Sequence, residues 1–148
     1  MTQREKKALQ YFAAGYNCAQ SVAMAYGDLA GLTPEQAALV AAGFGGGIGR
    51  MRQNCGAFSA AVMVMGALCK DGGAPAGRPA VYQRVRQVHD AFAAECGTIN
   101  CGELLRRHPG AEGHQPEERT PAYYASRPCA RVILKACRII EQQIATGE

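Results

Sequence analysis

The sequence predicts an all-α protein: a single-domain helical bundle of about six or seven helices over residues 1–148, with a glycine-rich loop ahead of a central apolar helix. Three observations carry this reading. Apolar residues recur at helical spacing through most of the chain, cap-forming residues stand before those stretches, and no segment alternates apolar and polar residues as a half-buried strand would. With 148 residues, 48% hydrophobic and 19% charged, the chain can bury about two-thirds of its unfolded surface without a disulfide framework.

The first helix is expected from Gln3 to about Ala14, with Leu9, Phe12 and Ala13 on one face and Gly15 as its stop. Asn17 precedes a short second helix, CAQSVAMAY, ended by Gly27 and Gly31. Thr33, Pro34 and Gln36 make a capping-box start for the third. The stretch GFGGGIGRMRQ reads as a loop that lets backbone or ligand approach closely. Asn54 then opens CGAFSAAVMVMGALC, apolar on nearly every face and so expected at the centre. After the linker KDGGAPAGRP, a fifth helix from about Pro79 to Ala94 sets Val81, Val85, Val88 and Phe92 on one stripe. Asn100 and Glu103 mark a sixth start at CGELLRR, and a polar loop from His108 to Pro121 follows. Ser126 and Pro128 introduce the last helix, whose buried stripe is Cys129, Val132, Ile133, Ala136, Ile140 and Ile144.

The composition excludes some functions. A net charge of +4, scattered over Arg84, Arg86, Arg106, Arg107, Arg131, Lys135 and Arg138, does not make a nucleic-acid surface. The longest uncharged run, Gln53 to Cys69, is too short to cross a membrane. The opening MTQREKKAL lacks the apolar core of a secretory signal, so a cytoplasmic location with reduced thiols is expected. Seven cysteines, an odd number, then point to metal binding or redox chemistry.

All three asparagines, Asn17, Asn54 and Asn100, stand directly before a cysteine and at an inferred helix start. An Asn cap would place Cys18, Cys55 and Cys101 in first turns, and Ser126 with Pro128 does the same for Cys129. There the helix dipole and free N–H groups favour the thiolate, so all four thiol pKa values are expected to fall. Arg50 and Arg52, just ahead of Cys55, would add positive charge to it. Gly47 in the loop and Gly56 beside Cys55 are the candidates for backbone contact with whatever the thiols hold. The loop carries neither the GxGxxG order after a strand nor a phosphate-loop motif, which argues against a nucleotide. Cys69 and Cys137 read as core. Cys96 could resolve Cys101 across CGTINC, although the spacing is not CxxC, and His89, His108 and His114 read as solvated.

The segments GYNCAQSV, GFGGGIGRMRQNCGAFSAAVMVMGAL, CGTINCGELL and CARVILKAC resemble the C_GCAxxG_C_C family of redox-active proteins over nearly the whole chain. The resemblance carries onto Cys18, onto Cys55 with Gly56 and Ala57, and onto Cys101 and Cys129. It implies redox chemistry at these four cysteines without supplying a substrate. Converging thiols could ligate an iron–sulfur cluster or another metal, or exchange disulfides with no cofactor, as a thiol-based oxidoreductase or electron-transfer module with a redox-partner protein. The alternative is a structural or binding protein with a four-cysteine zinc site and no redox activity. The oligomeric state is left open by the sequence.

Overall fold

Side-chain oxygens define most of the helix starts. In the computed structural model, which describes residues 1–105 and 113–146, Thr2, Asn17 and Thr33 each accept from the backbone N–H three residues on. The Glu5, Gln20 and Gln36 side chains return the bond, completing three capping boxes. They open α1 (Gln3–Ala13), α2 (Cys18–Tyr26) and α3 (Pro34–Ala41). Then come α4 (Gly56–Met63), α5 (Arg78–Cys96), α6 (Cys101–Leu105), α7 (Pro121–Ser126) and α8 (Cys129–Thr146). The described residues form eight α-helices, against the six or seven expected, and no strand, so the protein is all-α as expected.

Three elements differ from the sequence expectation, each for a local reason. The fourth helix ends at Met63 and tightens into a 3₁₀ turn over Met65–Leu68, where the backbones of Gly66 and Gly72 meet too closely to admit a side chain at 72. Cys69 consequently lies beyond the helix and is half-buried. Helix α7, not expected from the sequence, begins where the expected loop ends; Thr120 caps it by accepting from the Tyr123 N–H at 3.1 Å, with Pro121 at the first helical position. Asn54 does not cap α4. The N-cap is Cys55, and Asn54 instead pairs with Asn100 in an isolated antiparallel bridge.

Helix α2 shares the centre with α4. It buries seven of its nine residues and packs against α1, α3, α4 and α8. Ala19 and Ala23 on α2, with Ala57, Ala60 and Ala61 on α4, are essentially inaccessible, and small side chains let two backbones approach closely. Helix α8 supplies Val132, Ile133, Ala136, Cys137, Ile139 and Ile140 to the same core, confirming Cys137 as a packing residue. Tyr26 is fully buried, and its hydroxyl donates to Glu141 Oε2 at 2.9 Å and the Cys137 carbonyl at 3.3 Å, which satisfies its polar end. Among the described residues no helix is long and apolar enough to cross a membrane.

This core predicts a contrast between two aliphatic truncations. Ile140→Ala, at a fully buried position, should cost about 2–5 kcal/mol, whereas Leu39→Ala, at a position 79% exposed, should stay within about 0.5 kcal/mol. Denaturant unfolding checks both.

Candidate functional site

The glycine-rich loop is a left-handed turn. Gly46, Gly47, Ile48, Gly49 and Arg50 have φ of 65°, 72°, 64°, 55° and 61°, and Arg52 follows at 58°. For L-residues this conformation costs about 1–2 kcal/mol each, so Ile48, Arg50 and Arg52 are strained positions that the surroundings must hold. Backbone bonds do so: Arg50 N–H donates to Gly45 O at 3.2 Å and Gln53 N–H to Gly47 O at 2.9 Å. The turn lies directly on the thiol-bearing segments. A Cβ on Gly47 would sit 2.6 Å from Cys101 Cβ, and one on Gly45 would sit 2.3 Å from Asn17 Nδ2. On the far side, a Cβ on Gly56 would sit 2.7 Å from Cys18 Sγ. Gly47 and Gly56, singled out from the sequence, thus make room for Cys101 and Cys18.

The Asn54–Asn100 bridge joins two of the cysteines. Cys55 N–H donates to Ile99 O and Cys101 N–H to Gln53 O, both at 2.7 Å, so the starts of α4 and α6 are tied side by side. Asn100 still caps α6, accepting from the Glu103 N–H at 2.9 Å. Cys18 opens α2 and Cys129 opens α8. All seven cysteines are free thiols.

The four thiols do not share one character. Cys18 is lowered from the usual thiol range to about 6: the Cys55 S–H bonds to it and outweighs the opposing effect of burial, and the N–H groups of Gly46, Ala19 and Ala57 add to the lowering. Cys55 moves well up for the reciprocal reason, since its proton is held in the bond to Cys18, with burial and the Cys18 charge adding to the rise. Burial raises Cys101, against a bond from Arg52 Nη1 at 3.5 Å. Burial pushes Cys129 up to about 12, the Cys18 charge raising it further and Arg127 opposing. The expectation that every helix-start thiol would be activated therefore fails for Cys55, Cys101 and Cys129, because desolvation or donation to Cys18 outweighs the helix end. Arg52 serves Cys101 rather than Cys55. Cys18 nonetheless acts electrostatically on Cys55, Cys101 and Cys129, so the four occupy one neighbourhood.

A cavity of about 360 Å³ opens onto Cys18, Cys101 and Cys129. Arg50, Arg52, Arg119 and Arg127 line it, with one carboxylate, Glu117, which pairs with Arg127 and lies 3.8 Å from Arg50. Sequence reasoning missed Glu117 and Arg119, which fall in the expected loop, and Arg127, which lies between the residues read as opening the last helix. The remaining candidates separate. Cys96 ends α5, where burial raises it and Lys135, Glu95 and Arg131 are its charged neighbours. His89 is exposed and pairs with Asp90, His114 lies on the cavity rim, and His108 falls outside the described residues. As for a metal or cluster, no group of three or more Cys, His, Asp or Glu side chains among the described residues is arranged to hold an ion.

Fold and site together define an all-helical protein that gathers three cysteines around a fourth, more acidic one beneath an arginine-lined cavity. The chain belongs to the C_GCAxxG_C_C family, described as "Putative redox-active protein (C_GCAxxG_C_C)", whose profile matches residues 16–143. No curated protein and no solved structure matches it.

The packing at Cys18 predicts that Gly56→Ala displaces the Cys18 sulfur and slows its alkylation at neutral pH at least several-fold, with about 1–3 kcal/mol lost to overpacking. Gly43→Ala, in the same glycine-rich stretch but with open space at its Cβ, should leave the rate unchanged. Mass-spectrometric rates of iodoacetamide labelling at Cys18 check the pair.

Proposed function

We propose that the protein is a thiol–disulfide redox protein in which Cys18 is the attacking thiolate and Cys55 the resolving thiol. One arrangement carries this reading: the Cys55 thiol neighbours Cys18 and favours its thiolate, while Gly56, next in the chain, packs directly on the Cys18 sulfur. The thiolate is the reactive form of cysteine, and a second thiol beside it can close a disulfide. The family description as redox-active supports the same reading.

The steps follow from the arrangement. The Cys18 thiolate, reached through the cavity, attacks one sulfur of an acceptor disulfide. A Cys18–acceptor bond forms, the acceptor's own S–S bond breaks, and the first acceptor thiolate leaves to take a proton. Cys18 is then neutral, so its hydrogen bond and charge no longer hold the Cys55 proton, while the Phe58 and Ala57 N–H groups favour the Cys55 thiolate. Cys55 loses its proton and attacks Cys18 Sγ, and the second acceptor thiolate departs. The protein dithiol is oxidised by two electrons, and the acceptor disulfide is reduced to two thiols. In the cytoplasm the dithiol would be the resting form, recharged by a redox-partner protein.

Stoichiometric oxidation with diamide followed by peptide mapping should find a Cys18–Cys55 disulfide. Cys18→Ser should abolish exchange, and Cys55→Ser should halt at a mixed disulfide on Cys18. The opposing result is anaerobically purified protein with stoichiometric iron or zinc that disappears on replacing any of Cys18, Cys55, Cys101 and Cys129. That would make the four thiols a ligand set for an iron–sulfur cluster or zinc.

A further inference from the structure

We infer that the arginine-lined cavity above Cys18 is a binding site for the anionic groups of a small disulfide substrate, one that carries carboxylates flanking its S–S bond. The inference rests on the thiol-exchange reading and adds the substrate class. Its basis is the wall of the cavity and not the thiols themselves.

Four guanidiniums face this space against one carboxylate, so even with Cys18 ionised the described lining keeps two positive charges in excess. Their donors are not equally committed. Arg119 is fixed in the wall: it donates to Phe12 O at 3.3 Å and Tyr16 O at 3.1 Å, and its guanidinium stacks 4.8 Å from the ring centres of both Phe12 and Tyr123. It supplies field more than contact. Arg52 spends a donor on Cys101. Arg50 and Arg127 converge from the left-handed turn and from the residue after α7, and both reach Glu117. That carboxylate shows what the pair accepts, since a planar guanidinium fork matches a carboxylate in shape as well as charge.

Two further observations point to a ligand. The Arg127 side chain is only 5% exposed, yet its buried Nε has no hydrogen-bond partner among the described residues. A buried donor in this state costs free energy until an acceptor arrives. Arg50 is likewise pushed down in pKa, first by burial and then by Arg52, with Glu117 opposing and Arg127 also lowering it. The volume, about 360 Å³, suits a small molecule more than a protein segment. Cys18 lies in the same cavity, so an anion held by Arg50 and Arg127 would bring its sulfurs to the attacking thiolate.

The test compares three dialkyl disulfides of similar size: 3,3′-dithiodipropionate, the neutral 2-hydroxyethyl disulfide and the dicationic cystamine. A bare thiolate favours the cation, so each rate is referred to that of a free small thiol at the same pH. The reduced protein should invert that order, preferring the dianion over the dication by about tenfold or more at low ionic strength, with the preference collapsing in high salt. Arg50→Gln should cut the preference several-fold, and Glu117→Gln, which removes the competing carboxylate, should raise it. Calorimetry of 3,3′-dithiodipropionate on Cys18→Ser reads the site without the reaction. Binding there with no exchange by the intact protein would sustain the site and defeat the thiol mechanism. Exchange that follows the small-thiol order, with no heat of binding, would overturn the anion site and leave the mechanism standing.

Discussion

The structure turns on the pairing of the Cys55 thiol with the Cys18 sulfur. It divides two chemically identical side chains into a thiolate and its proton-bearing partner. Several features of the fold bear on the two members of that pair. Helix α2 is held by neighbours on several sides, which fixes Cys18 at its first position. The bridge between Asn54 and Asn100 fixes Cys55 from the other direction, and Gly56 leaves the space that the Cys18 sulfur fills. The left-handed turn then brings the Gly46 N–H to the same sulfur.

That turn concentrates strain at a functional position. Three residues with side chains adopt a conformation that glycine alone takes readily, and two of them are the arginines that enter the cavity wall. Ordinary right-handed geometry would send Arg50 and Arg52 elsewhere. The strain is offset by the backbone bonds that close the turn and by its packing onto Asn17 and Cys101. The result is a rigid junction between thiols and guanidiniums, in keeping with the tendency of strained backbone to gather at functional sites.

Much of the fold was legible in the residues. The boxes begun by Asn17 and Thr33 could be read directly, because a cap is a local interaction between residues three apart. The helix-start positions of Cys18 and Cys101 were legible for the same reason, since Asn17 and Asn100 do cap α2 and α6. What eluded the sequence depends on contacts distant along the chain. Asn54 looks like a cap but is taken by Asn100, and no local pattern reports that pairing. The thiol pKa values of Cys101 and Cys129 follow burial, which only the packed fold sets. Arg127 and Glu117 meet the thiols only because α7 and the residues before it fold across α2's start, and the glycine run announced a turn without announcing its hand. The Thr120–Pro121 signal was present, obscured by its polar surroundings.

The arrangement explains why four cysteines can lie near one another without acting as equals. Negative charge settles on Cys18, where donors are plentiful, and the field of that charge helps keep Cys129 protonated. The most direct test is a carbon-13 NMR titration of Cβ-labelled cysteine, which follows each thiol separately. The account predicts a Cys18 midpoint at about pH 6, thiol below and thiolate above, while Cys55 and Cys129 stay protonated through neutrality. A Cys18 midpoint near the ordinary value of about 8.5, unmoved by Cys55→Ala, would contradict it.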